Sequence, residues 1–143
     1  MRKYKLITLF VFVLTAVFLI AFFIPRPIIE KDTDIIWFRV QYNPYVGNSG
    51  EDLIEINDID YKEISQCLSK YKEFPILSKS SGYSLENTEL IITIHSDNEF
   101  KEVVVGNINY IFYGNGRLKH KIISSQALKN DLNSIVKRYI SSE

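Results

Sequence analysis

The amino-acid sequence predicts an α+β protein in which a transmembrane helix precedes a small folded domain. Residues 6–24 form a run that is almost entirely apolar. Apolar and polar side chains alternate over much of 89–123, and two other segments, 60–72 and 125–140, repeat apolar residues at helical spacing. Two amphipathic helices on one face of a sheet bury both apolar stripes in a single core. We therefore expect an antiparallel sheet of about four to six strands with two helices packed on one face.

The N-terminal apolar run, LITLFVFVLTAVFLIAFFI, contains Thr8 and Thr15 as its only polar side chains. As a helix it would be about 28 Å long, which is close to the roughly 30 Å thickness of the hydrocarbon core of a bilayer. Bulky side chains at 22–24 occupy the place where a signal peptidase requires small ones. We interpret the run as a signal anchor that is retained, with cleavage as the alternative.

The basic residues beside this run predict its orientation in the membrane. Arg2, Lys3 and Lys5 precede the run, whereas Arg26 is the basic residue that closely follows it. Positively charged flanks stay on the cytoplasmic side, so we expect a single-pass protein of the cell membrane with its N-terminus in the cytoplasm. The expected segments are a cytoplasmic N-terminus (1–5), a transmembrane signal-anchor helix (6–24), a stalk (25–33) and an extracytoplasmic α+β domain (34–143).

The residue composition and the cysteine content favour a bacterial cell envelope. The chain is rich in Ile, Lys, Asn and Tyr, which indicates an AT-rich genome. Cys67 is the one cysteine, so the domain has no internal disulfide. A disulfide-free outward-facing domain is more typical of a bacterial envelope than of an animal extracellular space.

The first half of the domain begins with strand signals. The sequence DIIWFRVQY (34–42) is rich in β-branched and aromatic residues and predicts a strand. The sequence NPYVGNSGED (43–52) is dense in Asn, Pro and Gly and predicts a loop. A short strand, LIEI (53–56), is expected to follow this loop and lead into a helix.

That helix is predicted over 60–72 and ends before Pro75. Asp60 and Glu63 have the spacing of a capping box, in which each side chain accepts a hydrogen bond from the backbone N–H of the other residue. The apolar face of the helix consists of Ile64, Cys67, Leu68 and Tyr71. Because Cys67 belongs to this face, we expect it to be a buried structural thiol.

The second half of the domain predicts a four-stranded meander and a final helix. The strands are 89–96, about 100–105, 108–113 and 117–123. Asn115 and Gly116 form a hairpin signal because both tolerate positive φ. Ser125 is the expected cap of a helix over 125–140. The apolar stripe of this helix consists of Leu128, Leu132, Ile135, Val136 and Tyr139.

The charge distribution and one loop supply the candidate binding residues. Residues 28–102 contain 7 basic and 15 acidic residues, whereas 103–143 contain 6 basic and 2 acidic residues. This polarity suits an oriented contact with a protein or a charged surface. The loop 43–52 lies beside two tyrosines, and the strand 117–123 has one basic face. We expect a protein or peptide partner, and the candidate binding residues are Tyr42, Tyr45, Arg117, Lys119 and Lys121.

The sequence offers no pattern of metal ligands or cofactor contacts. His95 and His120 are the two histidines, and neither H-x-x-H nor C-x-x-C occurs. We therefore expect no metal site and no cofactor, and we interpret His120 as a half-buried core residue. Aromatic and basic residues interleave over 109–121 as in some platforms for single-stranded nucleic acid. Because the domain is expected to face outward, we expect no nucleic-acid partner.

These observations predict a non-catalytic binding domain that is tethered to the membrane of a bacterial envelope. It would act as an accessory subunit or as an immunity-type protein. The alternative is a small envelope hydrolase that uses Glu55, Asp58 or Glu63 together with His95. A concave pocket that joins two such groups would favour the hydrolase, whereas an exposed apolar patch would favour binding.

Overall fold

The fold is described by a computed structural model that covers residues 2–30, 33–44, 46, 53–76, 82–97, 99–114 and 118–141. The helices are α1 (Arg2–Phe23), α2 (Tyr61–Leu68) and α3 (Ser125–Ile140). The first four strands are β1 (Arg26–Pro27), β2 (Ile35–Tyr42), β3 (Ile54–Glu55) and β4 (Lys72–Ile76). The remaining strands are β5 (Thr88–Ser96), β6 (Glu99–Gly106), β7 (Tyr110–Tyr113) and β8 (Leu118–Ile122).

All of these strands belong to one antiparallel sheet with the order β1-β4-β8-β7-β6-β5-β2-β3. The predicted meander, β5 to β8, lies at the centre, and β2 and β4 flank it. The α+β architecture is confirmed. The expected number of strands, about four to six, is wrong because the sheet has 8. The predicted hairpin at 115–116 lies outside the described residues.

Two strands were not expected, and they are either very short or interrupted by proline. β1 has 2 residues, too few for an alternating pattern, whereas the short strand expected over 53–56 is present as β3. β4 contains Pro75, which the sequence presents as a helix stop. The backbone N–H of Ile123 donates to the Lys72 carbonyl at 2.8 Å. Because alternate residues of a strand direct their backbone groups to opposite sides, Pro75 directs its nitrogen to the outer edge, where no N–H is required.

The two amphipathic helices and the sheet share one hydrophobic core. The buried residues of α2 and α3 are Ile64, Cys67, Leu68, Leu128, Leu132, Ile135 and Val136. They belong to the same cluster as the strand residues Val40, Leu90, Ile92, Ile94, Val103, Val105, Ile111 and Ile122. Cys67 is buried as expected, and this burial raises the pKa of its thiol to about 11.

The start of α2 agrees with the predicted cap only in part. The Asp60 Oδ1 accepts a hydrogen bond from the Lys62 backbone N–H at 2.8 Å, as an N-cap does. Glu63 does not complete the box, because its carboxylate binds Arg138 and accepts from the Tyr139 hydroxyl at 3.1 Å. These contacts join the beginning of α2 to the last turn of α3.

The ends of the helices differ from the predicted ends by small amounts. α2 ends at Leu68 rather than at 72, because the Tyr71 N–H donates to the Leu68 carbonyl and the chain then enters β4. α3 has the predicted bounds. Its N-cap is Ser124, in the left-handed region with φ of 57°, and the Ser124 side chain makes no capping bond. The prediction that Ser125 is the cap is therefore wrong.

The face of the sheet opposite the helices is also partly covered. Ile91, Val104 and Phe112 on this face are each about 2% exposed. The ring of Tyr83 packs against Phe112 with 5.3 Å between the ring centres. Burial and the neighbouring Glu102 carboxylate raise the pKa of Tyr83 to about 12.

The described residues of the expected stalk, 25–33, pack onto the domain. β1 lies in this segment and pairs with β4. Ile28 and Ile29 are buried in the core cluster, and the Ile28 N–H donates to the Tyr71 carbonyl at 3.0 Å. The end of α1 is therefore joined to the domain through ordered backbone.

Gly106 occupies a position where a side chain has no room. A Cβ there would overlap the Asn87 carbonyl oxygen and lie 2.9 Å from the Thr88 Cα. We expect Gly106→Ala to lower the free energy of unfolding by about 1–3 kcal/mol, because the backbone must shift. The measurement is urea unfolding of the full chain in detergent. The control is Ser84→Ala, at an exposed position shortly before Asn87, which should change the free energy of unfolding by less than about 0.5 kcal/mol. An unchanged midpoint for Gly106→Ala would contradict the packing described.

Candidate functional site

Five polar side chains meet at the end of the sheet that is closest to α1. This cluster, which we call the α1-proximal cluster, consists of Arg26, Glu73, Lys101, Tyr113 and His120, which line one pocket of about 430 Å³. The five residues come from five different strands of the sheet, and β1, which carries Arg26, closely follows α1. The strand order therefore assembles the cluster from distant parts of the sequence.

Cross-strand pairing places these side chains on the face that also carries the helices. Lys101 pairs with Tyr113, and His120 pairs with Pro75, two residues after Glu73 on β4. Residues that are directly opposite in an antiparallel ladder share a face, as do residues two apart in one strand. The predicted face of β8 that contains His120 and Ile122 is confirmed, since Ile122 lies in the core cluster.

Lys101 holds the backbone that follows α1. Lys101 is 7% exposed. Its Nζ donates one hydrogen bond to the Ile28 carbonyl at 2.7 Å and another to the Tyr113 hydroxyl at 3.4 Å. A third contact, 2.8 Å to Glu99 Oε2, pairs the ammonium with a carboxylate. A buried ammonium is stable only when it is paired and hydrogen-bonded, and this one meets both conditions.

Glu73 connects the tyrosine to the histidine. The Tyr113 hydroxyl donates to Glu73 Oε1, and Glu73 Oε2 lies 3.4 Å from His120 Nδ1. The rings of Tyr113 and His120 are 4.5 Å apart between centres. Burial, together with the charge of Glu73, raises the pKa of the Tyr113 phenol above its ordinary range. The tyrosine therefore remains a hydrogen-bond donor.

The facing atoms of the Glu73–His120 pair are shielded from solvent, whereas the His120 side chain as a whole is 22% accessible. Glu73 Oε2 and His120 Nδ1 are both buried and make no hydrogen bond with another described residue. A general acid or base must come within hydrogen-bond reach of its substrate, and these two atoms face each other inside the protein. The contacts from His120 through Glu73, Tyr113 and Lys101 to the Ile28 carbonyl form a continuous brace between the sheet and the segment after α1.

A second candidate feature lies near the opposite edge of the sheet, where β2 pairs with β3. β3 pairs with β2 only at Gln41 and Tyr42, and the Ile56 N–H donates to the Val40 carbonyl at 3.0 Å. By strand alternation the backbone groups of Phe38 also face this outer side. Among the described residues no strand pairs with 35–39 there. We call the outer side of 35–39 the β2 edge.

The β2 edge carries exposed apolar side chains. Ile36 is 60% exposed and Trp37 is 45% exposed. The pairing register shifts between Ile35 and Trp37, and such a bulge redirects a side chain outward. Arg39 lies 5.5 Å from the centre of the Trp37 ring, and Phe38 packs at 6.2 Å against the ring of Tyr61. An unpaired strand edge with apolar side chains is a template for another strand.

The structure places the predicted binding residues in different environments. Tyr42 ends β2, is partly buried and packs against the core. Lys119 and Lys121 share the face of β8 that is opposite the helices, and the Lys119 ammonium lies 3.7 Å from the centre of the Tyr110 ring. Tyr45 and Arg117 lie outside the described residues. Tyr42 and the two lysines are not brought together, because β2 and β8 are separated by three strands.

The residues of the alternative hydrolase do not form one site in the described structure. Glu55 and Asp58 are exposed, and His95 is exposed on β5 with its ring 6.3 Å from that of Phe100. Glu63 is engaged by α3, as described above. Within the described ranges, no group of three or more His, Cys, Asp or Glu side chains is placed to hold a metal ion.

The sequence contained one signal for the α1-proximal cluster, although the apolar residues around it made this signal easy to miss. Lys101, Val103 and Val105 are two residues apart in one strand, so their side chains lie on the same face of the sheet. Because the two valines mark this face as buried, Lys101 is a charged residue on the buried face. Such a lysine requires a buried partner. The partners themselves were not predictable, because Glu73 lies on a strand that contains proline and the Ile28 carbonyl lies in the expected stalk.

Comparisons with known proteins give no match. No protein family model matches this chain, and no curated protein or solved structure matches it significantly. The α1-proximal cluster and the β2 edge are therefore interpreted from their own chemistry.

Proposed function

We propose that this chain is a single-pass membrane protein whose extracytoplasmic domain binds an extended segment of another envelope protein at the β2 edge. The role is non-catalytic, that of an accessory subunit or of an immunity-type protein. The observation that carries this proposal is the β2 edge, which is apolar and to which no strand of the described part of the chain pairs. Strand addition uses backbone hydrogen bonds for affinity and side-chain contacts for specificity, and the β2 edge offers both.

The N-terminal helix supports the membrane tether. Among the described residues, one helix, Tyr4–Phe23, is long and apolar enough to cross a membrane, a property that a cleaved signal sequence shares. Its side chains are exposed along the whole span, apart from the half-buried Ala16. A helix that is apolar on every side is suited to lipid. The brace from Lys101 to the Ile28 carbonyl supports a domain held in a fixed relation to this helix.

The position of the β2 edge also supports a binding role. α1 contacts the sheet at β4, whereas β2 lies six strand spacings from β1. At about 4.8 Å for each spacing, the β2 edge is roughly 30 Å from the side that carries the anchor. A partner can therefore approach this edge without contacting the membrane helix.

A hydrolase is supported less well by the geometry. Its expected residues, Glu55, Asp58, Glu63 and His95, are not gathered in one described pocket. A carboxylate–histidine pair does form, Glu73 with His120, and both residues line the 430 Å³ pocket, but the atoms that face each other, Glu73 Oε2 and His120 Nδ1, are buried. Binding is the function that the exposed surface favours.

Site-specific photo-cross-linking in intact cells tests this proposal. A photo-reactive amino acid at Ile36 should capture one envelope or toxin protein, because this side chain lies beside the unpaired backbone. The same amino acid at Lys137, which is exposed on α3, should not capture it. Trp37→Lys should reduce capture from position 36 by about ten-fold or more, since aromatic anchors dominate binding energy at interfaces.

Two controls make the outcome decisive. Lys62→Ala changes an exposed residue of α2 and should leave capture unchanged. A C-terminal tag should be removed by protease added outside the cells, which checks the orientation. Equal capture from positions 36 and 137, or capture that is unaffected by Trp37→Lys, would refute binding at the β2 edge.

A further inference from the structure

A second pocket lies where the anchor helix meets the sheet. Its volume is about 210 Å³, and Phe22 of α1 forms one wall. Pro75 and Ile76 of β4 form the opposite apolar wall, while Arg26, Lys119 and His120 contribute basic side chains. Because β1 pairs with β4 only at Lys72 and Glu73, no strand among the described residues covers the outer edge of β4 beside Pro75.

The position of α1 in the bilayer sets the level of this pocket relative to the membrane surface. Phe22 is in the last turn of α1, and Arg26 begins β1 three residues after the helix ends. With α1 in the bilayer, Phe22 lies at the outer boundary of the hydrocarbon and Arg26 lies in the headgroup layer. The pocket therefore opens where the phosphate groups and the first acyl carbons of lipids are found.

The charges of the pocket complement an anionic ligand. Arg26 and Lys119 are cationic, and the ammonium of Lys119 lies 3.7 Å from the centre of the Tyr110 ring. Glu73 is the acidic residue of this wall, and its carboxylate is turned inward to Tyr113 and His120. A ligand that fits must combine one negative group with an apolar chain.

We propose that this pocket binds an anionic phospholipid of the surrounding leaflet. The phosphate contacts Arg26 and Lys119, and one acyl chain lies against Phe22 and Ile76. This inference rests on the proposed function in one respect, since it requires α1 to remain in the membrane. The main-chain pairing of β1 and the Lys101 contact to Ile28 hold the pocket in shape before a lipid binds.

Native mass spectrometry of the full chain tests the proposal. Phosphatidylglycerol is titrated into the detergent-solubilised protein, and its affinity is compared with that of phosphatidylcholine. We expect tighter binding of phosphatidylglycerol and a loss of about five-fold for Arg26→Gln and again for Lys119→Gln, since each basic residue near a lipid phosphate contributes by about that factor. Lys121→Gln is the matched control, because this exposed lysine is two residues from Lys119 on the same strand and does not line the pocket.

Each alternative outcome has a distinct meaning. Equal affinity for the two lipids, or an equal loss from Lys121→Gln, would overturn the proposal and leave only diffuse attraction to charged membranes. Competition by free inorganic phosphate as strong as that by the lipid would show that the acyl chain plays no part, and would also overturn it. Alkaline carbonate extraction separates this failure from failure of the membrane tether, because a protein released by carbonate contradicts the proposed function itself.

Discussion

Replacing Lys101 with methionine is expected to lower the free energy of unfolding of the domain by roughly 2–4 kcal/mol and to loosen the segment after α1. The substitution keeps most of the apolar stem but removes the ammonium that donates to the Ile28 carbonyl. A buried acceptor left without a donor costs about 1–3 kcal/mol, and loss of a charge from a buried network adds to this cost. The brace, the series of contacts that begins at His120, would then end at Tyr113 and would not reach the Ile28 carbonyl.

Two measurements separate this effect from general destabilisation. The first is urea unfolding of the full chain in detergent, followed by the fluorescence of Trp37, the single tryptophan. The second is hydrogen exchange of the Ile28 amide, which donates to the Tyr71 carbonyl at 3.0 Å. In Lys101→Met this amide should exchange faster at urea concentrations where the core amides remain protected.

Matched variants sharpen the Lys101 prediction. Lys62→Met removes an exposed lysine from α2 and should change stability by less than about 0.5 kcal/mol. Glu99→Gln removes the more exposed partner of Lys101, whose side chain is 43% accessible, and should cost at most about 1 kcal/mol. If Lys101→Met behaved like Lys62→Met, the brace would not stabilise the junction.

The central elements of the fold were predictable because their local patterns agree with their final environment. α3 has the predicted bounds, and its stripe of Leu128, Leu132, Ile135 and Val136 is buried. The meander was visible because its strands alternate and lie between turn residues. Helical period and strand alternation are local signals, so a single sequence reveals them.

The edge of the sheet formed by β1 and β4 was not predictable from local patterns. β1 is a strand only because the longer β4 pairs with it, and its two residues carry no periodicity. β4 places Pro75 at an outer edge, a position known only once the neighbouring strands are known. Tertiary pairing therefore decided the structure of these segments.

The two candidate functional features, the side-chain cluster near α1 and the β2 edge, were also not predictable from local patterns. Glu73, Lys101, Tyr113 and His120 are separated by up to tens of residues, and only the strand order brings them together. The β2 edge depends on how little of β2 is covered by β3. The exposed Trp37 looks like any strand aromatic in the sequence, because exposure of one face cannot be read from residue type alone.

The domain is expected to lose stability steeply between about pH 9 and pH 12. Burial raises the pKa of Cys67 from 9.0 to about 11 and that of Tyr83 from 10.0 to about 12. Burial and the bond to Asp131 raise the pKa of Tyr71 to about 12, although solvent screens this partly exposed ring, and the pKa of Tyr113 is also raised. These groups are neutral when protonated.

The sign of the effect follows from proton linkage. Over this range the folded protein retains protons that the unfolded chain releases, so the unfolded state binds fewer protons and stability falls as the pH rises. One pKa unit corresponds to about 1.4 kcal/mol. The buried groups together should therefore remove roughly 3–5 kcal/mol by pH 11, a large part of the stability of an ordinary domain.

Urea unfolding of the full chain at a series of pH values, with reductant present, measures this loss. Tyr113→Phe removes one titrating phenol and should make the decline with pH shallower, even though the loss of its bond to Glu73 lowers stability at neutral pH. Tyr61→Phe is the control, since Tyr61 is 45% exposed and should leave the slope unchanged. A slope that is identical in the wild type and Tyr113→Phe would mean that Tyr113 is solvated, and the brace from His120 to the Ile28 carbonyl would then lack its central link.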